Sequence, residues 1–273
     1  MSSINKAQWT ALIKDTILKE LRSKTLIFIF AATTLMIILG HVLLRTFIAG
    51  NEGNPLAVDA SKSLSLMFIM INAWSVIISA IFGISSIRSD FKDNIIYQYL
   101  AFPISRTQYM FSRIFGTWIL VFGYYLYSYL LSAILFSFAS GSIVVHGGHL
   151  LSILLMGVYI LLIIFLSFIF SMMAGKIGAF LLVLSTISLI SISTSAMRIL
   201  EFKDYFTDFG FFKGLELFIY FLLPRVNYIA EVASNMLSNE KVNLNMGLET
   251  LHLVATSALY IFIADRFIKR KNF

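Results

Sequence analysis

Six long apolar stretches dominate the pattern of hydrophobic and polar positions along the chain. None of them has a charged residue in its central two-thirds, and they cover residues 25–44, 63–86, 114–138, 150–173, 179–197 and 249–267. A helix needs about 20 apolar residues to cross the hydrocarbon core of a bilayer. The strands of a membrane barrel would alternate in polarity, and runs such as LLIIFLSFIF do not. The pattern therefore predicts an all-α integral membrane protein with six transmembrane helices.

The first 24 residues follow a different pattern, that of an amphipathic helix. Apolar or weakly polar side chains recur there at a spacing of three to four, at Trp9, Leu12, Ile13, Thr16, Ile17 and Leu21. Basic side chains fall mostly on the other face, as in helices that lie flat on a membrane surface. We expect an interfacial helix in residues 1–24, followed by a six-span domain in residues 25–273.

A seventh apolar stretch, residues 215–223, is too short to cross a bilayer. It ends at Pro224 and Arg225, where the backbone loses a hydrogen-bond donor and meets a charge. We expect short, non-spanning helices in the outer leaflet, within a re-entrant segment at residues 198–248.

Composition agrees with a membrane protein and excludes other classes. Of the 273 residues, 59% are hydrophobic and 13% are charged, whereas soluble domains have about 25% charged residues. The mean hydropathy of +0.86 excludes a disordered chain. The absence of cysteine excludes a disulfide scaffold.

Lysine and arginine are distributed unequally between the two sides of the predicted membrane. With the N-terminus inside, 14 of the 21 basic residues lie in the cytoplasmic segments. Cytoplasmic loops carry such an excess, so we expect both termini in the cytoplasm. The net charge of +7 then reflects orientation and contact with anionic lipid of the bilayer, and we expect no nucleic-acid partner.

The loop at residues 87–113 is the most informative segment outside the predicted spans. Asp90 and Asp93 are placed like N-caps of a short helix, Pro103 would end that helix, and Ser105 would cap the next one. Exposed aromatic side chains on a short helix at the membrane face would form a docking site for a soluble partner. The alternative is a plain loop helix lying on the headgroups.

In this loop and three other segments the chain resembles ABC-type exporter permeases of the second class, the ABC-2 type membrane subunits. The resemblance rests on the loop with its PISR sequence, the amphipathic first helix, the stretch YFLLPRVNYIAEVAS and the basic tail DRFIKRKNF. Within the family, the chain is most similar to the branch that includes the nitrous oxide reductase maturation permease. The family places such proteins in the bacterial inner membrane.

The resemblance implies a cytoplasmic coupling helix between spans two and three, which docks in a groove of an ATPase subunit. On this sequence the docking residues would be Asp90, Phe91, Asn94, Tyr97, Gln98, Leu100, Phe102 and Pro103. It further implies two ATPase subunits that bind ATP and Mg²⁺, and a second permease chain, most simply an identical one.

The sequence itself has no nucleotide-binding motif and no cofactor site. The nearest string, AGKIG at residues 174–178, lacks the first glycine and the Ser or Thr of a phosphate-binding loop. We therefore expect no enzymatic activity from this chain alone. No span centre carries Asp or Glu, which argues against a proton-driven carrier.

Small polar side chains form stripes on the second and fifth spans. The resemblance implies that these stripes line the dimer interface or the path, at Ser65, Asn72, Ser75 and Ser79 and at Ser188, Ser191 and Ser195. The alternative is that each serine only bonds the carbonyl one turn earlier in its own helix.

Two histidines, His146 and His149, lie three apart in the loop between the third and fourth spans, where a metal ion would need further ligands. No third ligand is close in sequence, and the two glycines between the histidines make the loop flexible, so metal binding is left open.

Two functions therefore fit the sequence. The first is the permease subunit of an ATP-driven transporter, an exporter, that couples ATP hydrolysis by separate subunits to translocation. The alternative is a membrane anchor or assembly factor that transmits ATPase-driven motion to a periplasmic partner without moving solute. The substrate is not readable from the residues.

Overall fold

The computed structural model describes residues 6–49, 60–92, 104–141, 145–199, 210–238 and 246–270. These residues form helices throughout and contain no strand. In chain order the helices are α1 (Lys6–Leu21), α2 (Lys24–Ala49), α3 (Ala60–Lys92), α4 (Arg106–Ser140), α5 (Gly147–Met173), α6 (Lys176–Ile199), α7 (Phe211–Leu222), α8 (Val226–Ser238) and α9 (Met246–Arg270).

Six of these helices are long and apolar enough to cross a membrane, namely α2, α3, α4, α5, α6 and α9. The prediction of an all-α membrane protein with six spans is thus confirmed. Two helices extend beyond their apolar stretches, since α3 is described through Lys92 and α4 already begins at Arg106. The extensions carry polar and charged side chains that pair with other helices at the same end of the bundle.

The buried core lies among α3, α4 and α5. Between 50% and 61% of the residues in their apolar windows are buried, against 22% to 28% in α2, α6 and α9. Small residues allow the core helices to approach closely. A Cβ at Gly83 of α3 would lie only 2.8 Å from the Cβ of Ser167 on α5. The outer surfaces of α2, α6 and α9 are left for lipid or for another chain.

Helix α1 packs against α4. The side chains of Leu12, Thr16 and Glu20, one turn apart on one face of α1, are all buried. The contact is close because α4 has a glycine there: a Cβ at Gly116 would lie 2.7 Å from the Cβ of Thr16. The predicted position of α1 on the membrane surface stays a prediction.

Two short helices, α7 and α8, lie within the predicted outer segment. They have 12 and 13 residues, too few to cross a bilayer. Helix α8 lies against α5, where Gly148 leaves room for the backbone carbonyl of Met236. Between the two helices, Arg225 pairs with Glu249 of α9 at 2.5 Å. The depth of α7 and α8 in the bilayer stays a prediction.

Asp90 does not begin a new helix, and that prediction is wrong. Helix α3 continues through it because its side chain is held inside the bundle by basic groups of α1 and α4. The predicted cap at Ser105 is confirmed, since its Oγ accepts the backbone N–H of Gln108 at 3.1 Å. The rest of the predicted coupling helix, residues 93–103 with the other candidate cap Asp93, lies outside the described residues.

Candidate functional site at the stems of the loop 93–103

The last described turn of α3 carries a fully buried carboxylate, Asp90. One of its oxygens, Oδ1, accepts a hydrogen bond from Lys19 Nζ of α1 at 2.5 Å. The other, Oδ2, accepts the hydroxyl of Tyr109 at 2.6 Å and lies 2.6 Å from Nη2 of Arg113, both on α4. A single carboxylate therefore joins three helices.

Arg113 extends this cluster toward the middle of α1. Its side chain is 2% exposed, and Nη1 donates to Thr16 Oγ1 at 2.8 Å and to Asp15 Oδ2 at 3.3 Å. Lys19 also donates to Ser89 Oγ at 2.8 Å, beside Asp90. We call Lys19, Asp90, Tyr109 and Arg113, with Asp15 and Thr16, the ion cluster.

Burying these charges is stable only because they are paired. An isolated ion in a low-dielectric interior costs several kcal/mol, and removal of one partner from a buried pair typically costs about 3–5 kcal/mol. Asp90 and Arg113 form a buried ion pair, and the hydroxyl groups of Tyr109 and Thr16 add a hydrogen bond to each. The cluster therefore holds α1, α3 and α4 in one fixed arrangement.

A second acid, Glu20, lies beside the ion cluster and is 6% exposed. Burial raises the pKa of Glu20, while the positive charges of Lys19 and Arg113 act in the opposite direction. Burial has the larger effect. The ionisation of Glu20, and with it the negative charge next to the ion cluster, therefore depends on pH.

The second stem of the loop is tied to the last turns of α9. Arg106 Nη1 donates to the carbonyl of Lys269 at 2.9 Å. Thr107 Oγ1 donates to Asp265 Oδ1 at 2.6 Å. Since both Arg106 and Thr107 lie in the first turn of α4, that turn is fixed from outside as well as by its own cap.

The first stem also contacts the turn between α5 and α6, because Arg88 of α3 donates to the carbonyl of Ala174. The two stems of residues 93–103 are thus bonded to α1, to the α5–α6 turn and to α9. We call this end of the bundle the α1 end. The described residues at this end include no nucleophile with an adjacent base and no phosphate-binding loop. The contacts of the two stems instead connect both ends of the loop rigidly to most of the spans.

The structure describes two of the eight predicted docking residues. Asp90 is buried, and its carboxylate is bonded within the chain; its predicted contact with an ATPase stays a prediction. Phe91 is half-buried and packs against the core. The remaining six lie outside the described residues, namely Asn94, Tyr97, Gln98, Leu100, Phe102 and Pro103.

The two serine stripes have different surroundings. Ser75 and Ser79 on α3 are fully buried within the single chain, and their predicted place at the dimer interface or the path stays a prediction. Ser79 Oγ donates to the carbonyl of Ser75 at 2.6 Å, as the alternative held. Ser65 and Asn72 are half-buried. On α6, Ser188, Ser191 and Ser195 are exposed, so the prediction for that face stands untested.

The two histidines cap α5. Nδ1 of His146 accepts the N–H of Gly148, and Nδ1 of His149 accepts the N–H of His146, each at 3.2 Å. Among the described residues no group of three potential metal ligands occurs. The Nδ1 atom of each histidine is therefore occupied by a backbone donor, and metal binding stays an open hypothesis.

The basic members of the ion cluster, Lys19 and Arg113, were not predicted as site residues. One signal was present in the sequence: Glu20 follows Thr16 by one turn on the apolar face of α1, and an acid on such a face needs a partner. The sequence could not identify that partner, since Lys19 and Asp90 are 71 residues apart.

Comparison with known proteins agrees with this architecture. No curated protein matches the chain. Residues 12–181, more than half of the chain, match the family described as ABC-2 family transporter protein. The matched region runs from α1 through the ion cluster and the loop into α6. It does not test the resemblance to the nitrous oxide reductase maturation branch, which stays a prediction. The chain belongs to the ABC-2 family of transporter proteins and is a multi-pass ABC transporter permease.

Proposed function

We propose that this chain is the membrane subunit of an ATP-driven exporter, that it works as a dimer, and that two separate ATPase subunits drive it through the loop at residues 93–103. ABC-2 permeases typically work with ATPase subunits, which bind the ATP and Mg²⁺. The copy number, the direction of transport and the identity of the docking surface are parts of the proposal.

The observation that carries the proposal is the bonding of the two loop stems. Asp90 joins the first stem to α1 and α4, and Arg88 joins it to the α5–α6 turn. Arg106 and Thr107 join the second stem to α9. A force applied to the loop would therefore displace several spans together instead of bending a free loop.

The mechanism follows from the contrast between core and periphery. ATP-driven closure of two ATPases would push the loops, and the ion cluster would pass that motion to α1, α3 and α4. These helices belong to a well-packed interior, which moves as a body because close packing resists deformation. The poorly buried α2 and α6 would rearrange against the second chain or the path.

Orientation is supported by the distribution of charge in the folded chain. The contacts of Asp90, Arg88 and Arg106 bring α1, the loop stems, the α5–α6 turn and the end of α9 to one end of the bundle. The stretches of sequence that include these segments, residues 1–24, 87–113, 172–178 and 266–273, carry 14 of the 21 basic residues. We infer that the α1 end faces the cytoplasm and that the protein lies in a bacterial inner membrane.

The decisive experiment is co-purification of the full chain with its ATPase subunit, followed by ATPase assays in lipid. Tyr97→Asp combined with Leu100→Asp should weaken the association at least about tenfold, because two charges would enter an apolar contact. A matched control places two aspartates at exposed positions of the opposite end, Ser140→Asp and Val145→Asp, and should leave the association unchanged.

Intact association and intact ATPase stimulation in the Tyr97 and Leu100 variant would contradict the docking proposal. Association with stimulated ATPase activity but no solute movement into or out of vesicles would support the assembly-factor alternative.

A further inference from the structure

A groove opens at the α1 end between α2, α3 and α6. Its volume is about 320 Å³, within the range of pockets that hold small molecules. The polar lining residues are Thr25, Ser85 and Lys176, and the apolar ones are Ile81, Ile84, Ile177 and Phe180. The groove is distinct from the ion cluster, whose members do not line it.

Two apolar lining residues, Ile81 and Phe180, lie further from the α1 end than the polar ones. Thr25 and Lys176 lie at the beginnings of the spans α2 and α6. Phe180 lies one turn further into α6, and Ile81 lies one turn before Ser85 in α3. The groove therefore has a polar mouth at the level of the headgroups and apolar walls below it.

The charges around the mouth are mainly positive. Lys176 is exposed in the groove, and Lys24, next to Thr25, is also exposed. Arg88 lies one turn beyond Ser85 and bonds the carbonyl of Ala174, two residues before Lys176. Lys176 lowers the pKa of Glu20, but less than Lys19 and Arg113 do.

We propose that this groove binds one anionic phospholipid, with its phosphate at Lys176 and an acyl chain along Ile81, Ile177 and Phe180. Basic residues at the membrane surface attract anionic lipid, and the apolar walls suit a hydrocarbon chain. The charge argues against a second copy of this chain as the occupant. A two-fold contact across the groove would bring Lys176 against its own counterpart or its neighbours.

The test is native mass spectrometry of the purified full chain titrated with phosphatidylglycerol or phosphatidylcholine. Phosphatidylglycerol should bind preferentially, and Lys176→Gln should weaken that binding roughly fivefold, the effect of one lysine at a membrane surface. Lys14→Gln, which removes an exposed lysine of α1, is the matched control and should bind like the parent.

A second variant tests the apolar wall without changing charge. Ile81→Trp would fill the groove and should abolish the preference for phosphatidylglycerol while Lys176 remains. Added inorganic phosphate should not displace the lipid, because it lacks the chain that the groove holds.

Three results would overturn the proposal: equal binding by the Lys176→Gln and Lys14→Gln variants, displacement by inorganic phosphate, or unchanged binding in Ile81→Trp. The chain contains no cysteine, so Ile177→Cys gives one defined thiol. Disulfide formation between two copies at that position, without bound lipid, would assign the groove to a second chain.

Discussion

At the scale of single residues, the most important feature is one carboxylate that interacts with three other side chains. Asp90 accepts from Lys19 and Tyr109 and pairs with Arg113, and it is fully buried. Asp15 also pairs with Arg113, at 3.3 Å, but its side chain is 49% exposed. The same chemical group thus occurs twice around one guanidinium, once buried and once near water. That pair of environments makes a direct comparison possible.

Asp90→Asn should destabilise the chain by about 3–5 kcal/mol, because it leaves Arg113 buried without its main counter-charge. Asp15→Asn should cost less than about 1 kcal/mol, since exposed ion pairs contribute little. Thermal unfolding of the two variants in the same detergent measures the difference. Equal stability losses in the two variants would show that the ion cluster does not depend on the buried carboxylate.

The pH dependence of stability offers a second test, at Glu20. Because burial raises its pKa, the folded chain holds the proton more tightly than the unfolded chain does. Its contribution to stability is complete below the pKa of an exposed glutamate and is lost as the pH rises through the raised pKa.

Glu20→Gln is neutral at every pH, so its melting temperature should rise relative to the parent as the pH increases from about 4, near the pKa of an exposed glutamate, through the raised pKa of Glu20. The measurement is a series of melting curves for both proteins over that range. A difference that stays constant, or that falls with rising pH, would be inconsistent with a buried carboxyl of raised pKa.

At the scale of helices, contact between α1 and α4 depends on a missing side chain. Gly116 faces Thr16 and the carbonyl of Ile13, at 2.7 Å and 3.2 Å from the position of a Cβ. Gly123, two turns later on α4, has no atom within 4 Å of that position. The close approach at Gly116 brings the ion cluster within bonding distance, so packing and electrostatics support each other.

Gly116→Val should push α1 away from α4 and cost about 1–3 kcal/mol, the usual penalty for overpacking. Gly123→Val makes the same chemical change on the same helix in open space and should leave the packing of α1 intact. Thermal stability and a spin-label distance between α1 and α4 report the two effects. The packing argument fails if both valines lower stability equally and leave the distance unchanged.

At the scale of the whole molecule, the chain has one well-buried layer and an incompletely covered surface. Helices α3, α4 and α5 form the interior, while α6 leaves Ser188, Ser191 and Ser195 exposed. Small polar side chains allow close helix contact in a membrane. The α6 face is therefore the surface that we expect to meet the second chain of the dimer.

Ser191→Cys should form a disulfide between two copies under mild oxidation, because the exposed position would lie near the two-fold axis. Ser75→Cys, fully buried within one chain, should form none. Non-reducing gels of both variants, free of other thiols because the chain has no cysteine, give the answer. Absence of cross-links at positions 188, 191 and 195 would assign this face to lipid.

The six spans and the all-helical class were predictable from the sequence, because few kinds of backbone structure can cross a bilayer. Every backbone polar group must be satisfied inside the hydrocarbon, and a helix of about 20 apolar residues does so by itself. The cap at Ser105 was predictable for a similar reason, since its partner, Gln108, lies three residues away. Such features depend on local spacing and on the solvent.

The tertiary structure alone decided which serine stripe turns inward and where Asp90 finds its partners. A serine packs equally well against its own bundle or against another chain. The spacing of the serines along the sequence therefore could not predict that Ser75 is buried within the chain and Ser191 is exposed. The helix at Asp90 continued because Lys19 and Arg113, on other helices, stabilise its buried charge. Long-range pairing of charges follows from how the helices pack, and that packing is a property of the whole bundle.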